Sequence, residues 1–232
     1  MSSGFATEDD ARQALVDHAR AMSVTGVDIG KAGALSLRWP RSAAPGMLIT
    51  PAALACDQLV IDDIVWMPLA ATAPTEGDGR RRLAPQWPLH RDILVARSDV
   101  GSVLDAHGPE SATLACSSRI QHEGIPAFHY RVAVAGGADI RCGPFARFGT
   151  QRLSDGALAA LDGRRACLLA HHGLLVAARS PAAALVLAID VEGLCGLYRR
   201  LLALGDPVVL DRSEIDEVVA GLVEEPGPGH GR

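Results

Sequence analysis

The sequence predicts one layered domain of the α/β or α+β class. Three observations predict it. The chain has 232 residues, 48% of them hydrophobic and 21% charged, which is enough to bury a large core without disulfide or metal staples. Segments with helical spacing bracket several short apolar runs. The two kinds do not alternate as regular βαβ units, and no internal repeat occurs. The domain is expected to span 1–225, followed by a disordered tail over 226–232.

The elements follow in order. Thr7 caps a first helix, with Asp10 in a capping-box position, and Ala11, Leu15, Val16, Ala19 and Met22 recur at helical spacing until Gly26. Leu35, Leu37 and Trp39 alternate with polar residues, as in a strand. Gly46 to Thr50 reads as a second strand, and Leu59–Ile61 with Ile64–Trp66 as a third strand region. Thr75 to Arg82 is a loop, and its run Arg80-Arg81-Arg82 reads first as solvated and second as anion-binding. Leu89 to Ala96 reads as helix, Val100 to Ala106 as a buried strand, and Ser111 to Cys116 as helix. Tyr130 to Ala135 fits strand or helix. Cys167 to Ala170 is a buried strand running into His171-His172-Gly173. Ser180-Pro181 opens a long helix to about Leu204.

Composition excludes several function classes. The net charge is −5, which argues against nucleic acid as the main partner. Lys31 is the only lysine, so it is the one candidate for Schiff-base chemistry. The five cysteines are widely spaced and form no CxxC pair, as expected of reduced cytosolic thiols. The N-terminus lacks the regions of a signal peptide, and no apolar run of membrane-spanning length occurs. A cytoplasmic location is expected. Glycine-rich nucleotide loops, a GxSxG elbow and an HExxH helix are all absent.

What remains is histidine and carboxylate chemistry. Asp105 and His107 stand two apart at the end of an apolar strand, so their side chains share a face and can reach one ion. A third ligand can come from His171-His172. Two histidines and a carboxylate suit zinc with an open position, and equally the facial triad of non-haem iron.

Gly30-Lys-Ala-Gly-Ala-Leu-Ser, Gly46-Met-Leu-Ile-Thr-Pro, Asp105-Ala-His, Ile125-Pro-Ala-Phe-His-Tyr, Ala135-Gly-Gly, Cys142-Gly-Pro-Phe-Ala-Arg-Phe-Gly-Thr and His171-His-Gly-Leu follow one another over roughly 10–210. In order and spacing these segments resemble the class II aldolase/adducin family, most closely fuculose-phosphate-aldolase-like enzymes. The resemblance implies a three-layer α/β/α sandwich around a mostly antiparallel sheet, assembled as a homotetramer. It implies a divalent ion on an HxH pair and a later histidine, which chelates a small-molecule substrate and stabilises an enediolate. On that pattern the ligands match Asp105, His107 and His172, with zinc as the ion and manganese or iron as alternatives. His171, His129 and His90 are read as structural.

Departures from the pattern redirect the reading. The family's glutamate matches Gln86, which has no ionisable proton and can only orient a substrate or a water. The assisting tyrosine matches Tyr130. Positions of the phosphate-binding turns match Lys31, Ala34, Ala52, Ala53, Ala84 and Pro85, and most side-chain donors there are lost. The expected activity is therefore a metal-dependent aldolase- or decarboxylase-type lyase acting on a non-phosphorylated, carboxylate-bearing carbonyl compound. Lys31 would hold its carboxylate. The alternatives are an Fe(II) oxygenase or isomerase on the same site, or a non-catalytic adducin-like scaffold.

Overall fold

Helix caps and strand alternation dictate the frame seen in the computed structural model, which describes residues 4–29, 33–42, 44–205 and 207–224. The proposed substrate-binding Lys31 and the tail over 226–232 lie outside the described residues.

Helix α1 (Glu8–Thr25) starts on the reciprocal Thr7–Asp10 capping box and ends on Gly26 in the left-handed conformation at φ 78°. Strands β1 (Ala34–Arg38), β2 (Gly46–Ile49) and β3 (Val65–Pro68) form an antiparallel meander. Residues 59–61 do not extend β3. Two short 3-10 turns, Cys56–Gln58 and Ile61–Asp63, replace the expected strand. The physical cause is Asp63, whose buried carboxylate accepts the Val60 N–H at 3.0 Å and folds the chain into a turn.

Helix α2 (Trp87–Ala96) leads to β4 (Ser102–Ala106), then α3 (Pro109–Ala115) and α4 (Ser118–Glu123). The ambiguous stretch Tyr130–Ala135 is a 3-10 helix, started by the His129 ring nitrogen accepting Arg131 N–H at 3.1 Å. Around it run β5 (Ile125–Pro126), β6 (Asp139–Ile140) and β7 (Cys142–Gly143). Helix α5 (Gln151–Ala160), β8 (Ala166–Leu169), β9 (Gly173–Ala178), α6 (Pro181–Leu204) and α7 (Arg212–Glu224) complete the order.

Seven strands make one sheet in the order β3-β2-β1-β4-β9-β8-β7, antiparallel except for the β7–β8 pair. Alternation along the strands sends two apolar sets to opposite faces. Leu35, Leu37, Leu104, Leu174 and Val176 pack with α1 and α6. Met47, Ile49, Val103, Leu169, Leu175 and Ala177 pack with α2 and α5. The result is the expected α/β/α sandwich with its mostly antiparallel centre. Helix α6 is long and apolar enough to cross a membrane by length and composition. Here Ala184, Ala188, Val191, Leu194 and Tyr198 bury one side of it in the first core.

Candidate metal centre

Strand β4 delivers Asp105 between two antiparallel neighbours, paired with Ala34 of β1 and Leu175 of β9. Asp105 faces the α2 side with Val103, and His107 follows two residues later, just past the strand. The chain leaves the site through Gly108, where a Cβ would meet Glu192 Oε2 at 2.2 Å. Glu192 is almost fully buried and accepts the N–H groups of Glu110 and Ser111, at 2.6 and 3.1 Å, which open α3. This contact between α6 and α3 fixes the direction in which the chain leaves His107.

The third side chain comes from the turn between β8 and β9. His171 takes a left-handed conformation at φ 57°, and Gly173 at φ 155° lies where a Cβ would strike Ala106 O at 2.4 Å. The two histidines separate there. His171 is exposed, accepts from Gln121 Nε2 at 3.1 Å and meets the edge of Phe145. His172 stacks on His107, with ring centroids 4.9 Å apart.

Donor atoms of Asp105, His107 and His172 all lie within 4.8 Å of one another. Asp105 is fully buried. Its Oδ1 accepts from His172 Nε2 at 3.0 Å, while its Oδ2 has no partner among the described residues. An orphaned carboxylate oxygen in a dry site is costly unless a cation or water meets it. His107 Nδ1 lies 3.1 Å from Asp28 Oδ1, and since a carboxylate only accepts, Nδ1 carries the hydrogen and Nε2 keeps its lone pair. These residues fit a divalent cation, which would take the place of the proton between His172 and Asp105.

The electrostatics agree with a cation site. Burial pushes the Asp105 carboxyl up, but the His172, His107 and His90 imidazoles outweigh it and hold the group below the usual carboxylate range. Asp105 in turn raises His172 against the effect of burial, and the Asp28 hydrogen bond raises His107.

Sequence reasoning missed Asp28 as a functional residue and read His90 only as structural. Asp28 sits 79 residues from His107, and its carboxylate also accepts the His107 and Gly33 N–H groups at 3.1 and 3.0 Å. Only its place in a Gly-flanked loop hinted at it. His90 of α2 is fully buried, with Nδ1 2.8 Å from Ser36 Oγ and Nε2 without a partner among the described residues. Burial, opposed by Asp105, pushes its imidazole down to about 4. Gln86, half-buried, occupies the N-cap position of α2, and its side chain caps nothing. Tyr130 is 55% exposed and stacks on His129. No hydrogen bond joins Gln86 or Tyr130 to the three-residue cluster among the described residues.

The family model for the Class II Aldolase and Adducin N-terminal domain matches residues 13–199. The chain belongs to the class II aldolase and adducin family. Its relatives in that family include the 5-methylthioribulose-1-phosphate/5-deoxyribulose-1-phosphate aldolase of Rhodospirillum rubrum, 45% identical over 210 residues, 90% of this chain and 89% of that protein. The L-fuculose phosphate aldolase of Escherichia coli K12 is 36% identical over 214 residues, 90% of this chain and 92% of that protein. A solved L-fuculose 1-phosphate aldolase superposes with a TM-score of 0.84 at 30% identity, covering 96% of this chain and all of that one. Class II aldolases use a divalent metal, and Asp105, His107 and His172 form the candidate site for it here.

Proposed function

We propose that this class II aldolase family member is a divalent-metal-dependent carbon–carbon lyase of the aldolase type, a cytoplasmic homotetramer with residues 1–225 as its domain. The observation that carries the reading is three donor atoms within 4.8 Å of one another, contributed by Asp105, His107 and His172, together with a buried Asp105 Oδ2 that has no partner among the described residues. Asp105, His107 and His172 would hold the ion. Zinc suits the set, with manganese or iron the harder alternatives. A bound ion supplies Lewis-acid stabilisation of the enolate left when the carbon–carbon bond breaks.

The chain's own residues do the rest. Asp28 keeps His107 in the tautomer that presents Nε2. Gln86 cannot accept a proton, so its amide orients a substrate oxygen or a water. Tyr130 reaches a substrate only from the protein surface, so in this reading it exchanges a proton across a contact between subunits.

The sequence led to a non-phosphorylated, carboxylate-bearing substrate held by Lys31. The named relatives are aldolases of sugar phosphates, which supports a phosphorylated ketose instead. Both substrates share an anionic group.

Elemental analysis of protein purified without chelator tests the ion, and cleavage of 5-deoxyribulose 1-phosphate to dihydroxyacetone phosphate and acetaldehyde tests the chemistry. About one divalent ion per chain is expected, with both ion and cleavage lost in His107→Ala. One observation favours a second reading, a non-catalytic scaffold: a glutamine stands where the base is expected. Absence of both ion and cleavage would establish it.

A further inference from the structure

Two of the buried polar atoms without a partner among the described residues, Asp105 Oδ2 and His90 Nε2, lie in one layer, between the sheet and α2. The register of β1 on β4 explains why. Ser36 pairs with Val103 and Ala34 with Asp105, so Ser36, Val103 and Asp105 all face α2. Ser36 and Asp105 are diagonal neighbours on that face, about 7–8 Å apart at the backbone. His90 reaches down from α2 onto Ser36, with Nδ1 2.8 Å from Oγ. A ring anchored there spans much of the diagonal, and His90 and Asp105 act on each other electrostatically.

The ring hydrogen belongs on Nε2. Burial pushes the His90 imidazole down to about 4, so the ring is neutral at pH 7 and carries one N–H. Ser36 Oγ has one side-chain partner among the described residues, His90 Nδ1, and its hydroxyl is satisfied by donating there. Nδ1 is then the acceptor and Nε2 the donor. The other tautomer would set a bare lone pair toward the Asp105 carboxylate and leave the Ser36 hydroxyl hydrogen without an acceptor.

His172 Nε2 lies 3.0 Å from Asp105 Oδ1, which makes Oδ1 the oxygen an ion would share with that histidine. Ligation through Oδ1 leaves Oδ2 buried and still in need of a donor. We propose that His90 is a positioning residue of the metal centre: its Nε2–H serves Asp105 Oδ2 when the carboxylate takes an ion, holds the group to one oxygen toward that ion, and so favours zinc over manganese. Four-coordinate zinc is filled by few donors. Manganese prefers six oxygen-rich positions and gains from a second carboxylate oxygen. The inference rests on the metal-centre reading.

Competition of the full chain with a metal-sensitive dye, for zinc and manganese separately, is the test. His90→Phe keeps a ring without the N–H and is expected to lower the ratio of zinc to manganese affinity at least about tenfold. His90→Gln, whose amide can donate from the Nε2 position, is expected to retain most of the ratio. Long-range nitrogen NMR of the metal-free native chain is expected to place the His90 hydrogen on Nε2, with His90→Gln identifying the signal by its loss. A hydrogen on Nδ1 overturns the proposal. So does a His90→Phe chain that binds both ions as the native protein does, or one that weakens both equally, since lost packing would lower them together. The two readings fail separately: a native chain that takes up neither ion removes the metal centre and this role with it, whereas uptake with a ratio indifferent to His90 removes this role alone.

Discussion

Asp28 shows how much of the site rests on a residue that touches no substrate. Its carboxylate takes the ring N–H and the backbone N–H of His107 together. Asp28→Asn should weaken metal binding 10- to 100-fold while leaving the fold intact, as measured by competition with a metal-sensitive dye and by circular dichroism. His90 carries a prediction about acid. Its folded-state value near 4 lies below the ordinary 6.5, so the unfolded chain binds the proton more readily between those limits. Stability from this group is therefore complete above pH 6.5 and lost as pH falls toward 4, by on the order of 3 kcal/mol. Urea unfolding from pH 7 to 4 should show that slope, and His90→Gln should flatten it. Asp105 and His107 were legible as a pair because two-residue spacing on a strand is a local pattern, while spacing left the third candidate open between His171 and His172 and only the family resemblance selected His172. Asp28 and His90 reach their partners across 79 and 54 residues, and no local pattern encodes that.

Elements carry the next level. The capping box at Thr7 and the Ser180 cap, which accepts Ala183 N–H at 3.2 Å, made α1 and α6 readable. Strands β5, β6 and β7 are two residues long, too short for any alternation to register. Helices α4, α5 and α7 also went unread. Thr150 precedes α5 without a side-chain cap bond, so its start lacks the signal that marked α1. The α6–α3 contact is testable here. Gly108→Ala places a methyl group against Glu192, and displacing that carboxylate unties the start of α3. A loss of about 2 kcal/mol is expected from overpacking plus the broken cap, read by thermal unfolding, with metal affinity falling alongside.

At the scale of the whole molecule, two cores on opposite faces grip one sheet, and the three candidate metal ligands gather at one end of it. Ligand binding to the folded state alone stabilises by mass action. Chelator treatment should therefore lower the melting temperature, and added zinc should restore it in the native protein but not in His107→Ala. The layered class was readable from helices flanking short strands. The order of strands was not, because β4 and β9 are neighbours in the sheet yet lie far apart in the chain.

That adjacency makes coordination a gauge of correct assembly. Slipping β4 by one residue would rotate Asp105 into the layer beneath α1 and α6 and bring Leu104 to the cation's place. A refolded sample with full helical signal but fractional ion uptake would thus contain chains whose central strands are misaligned, and stoichiometry of the bound ion would count them.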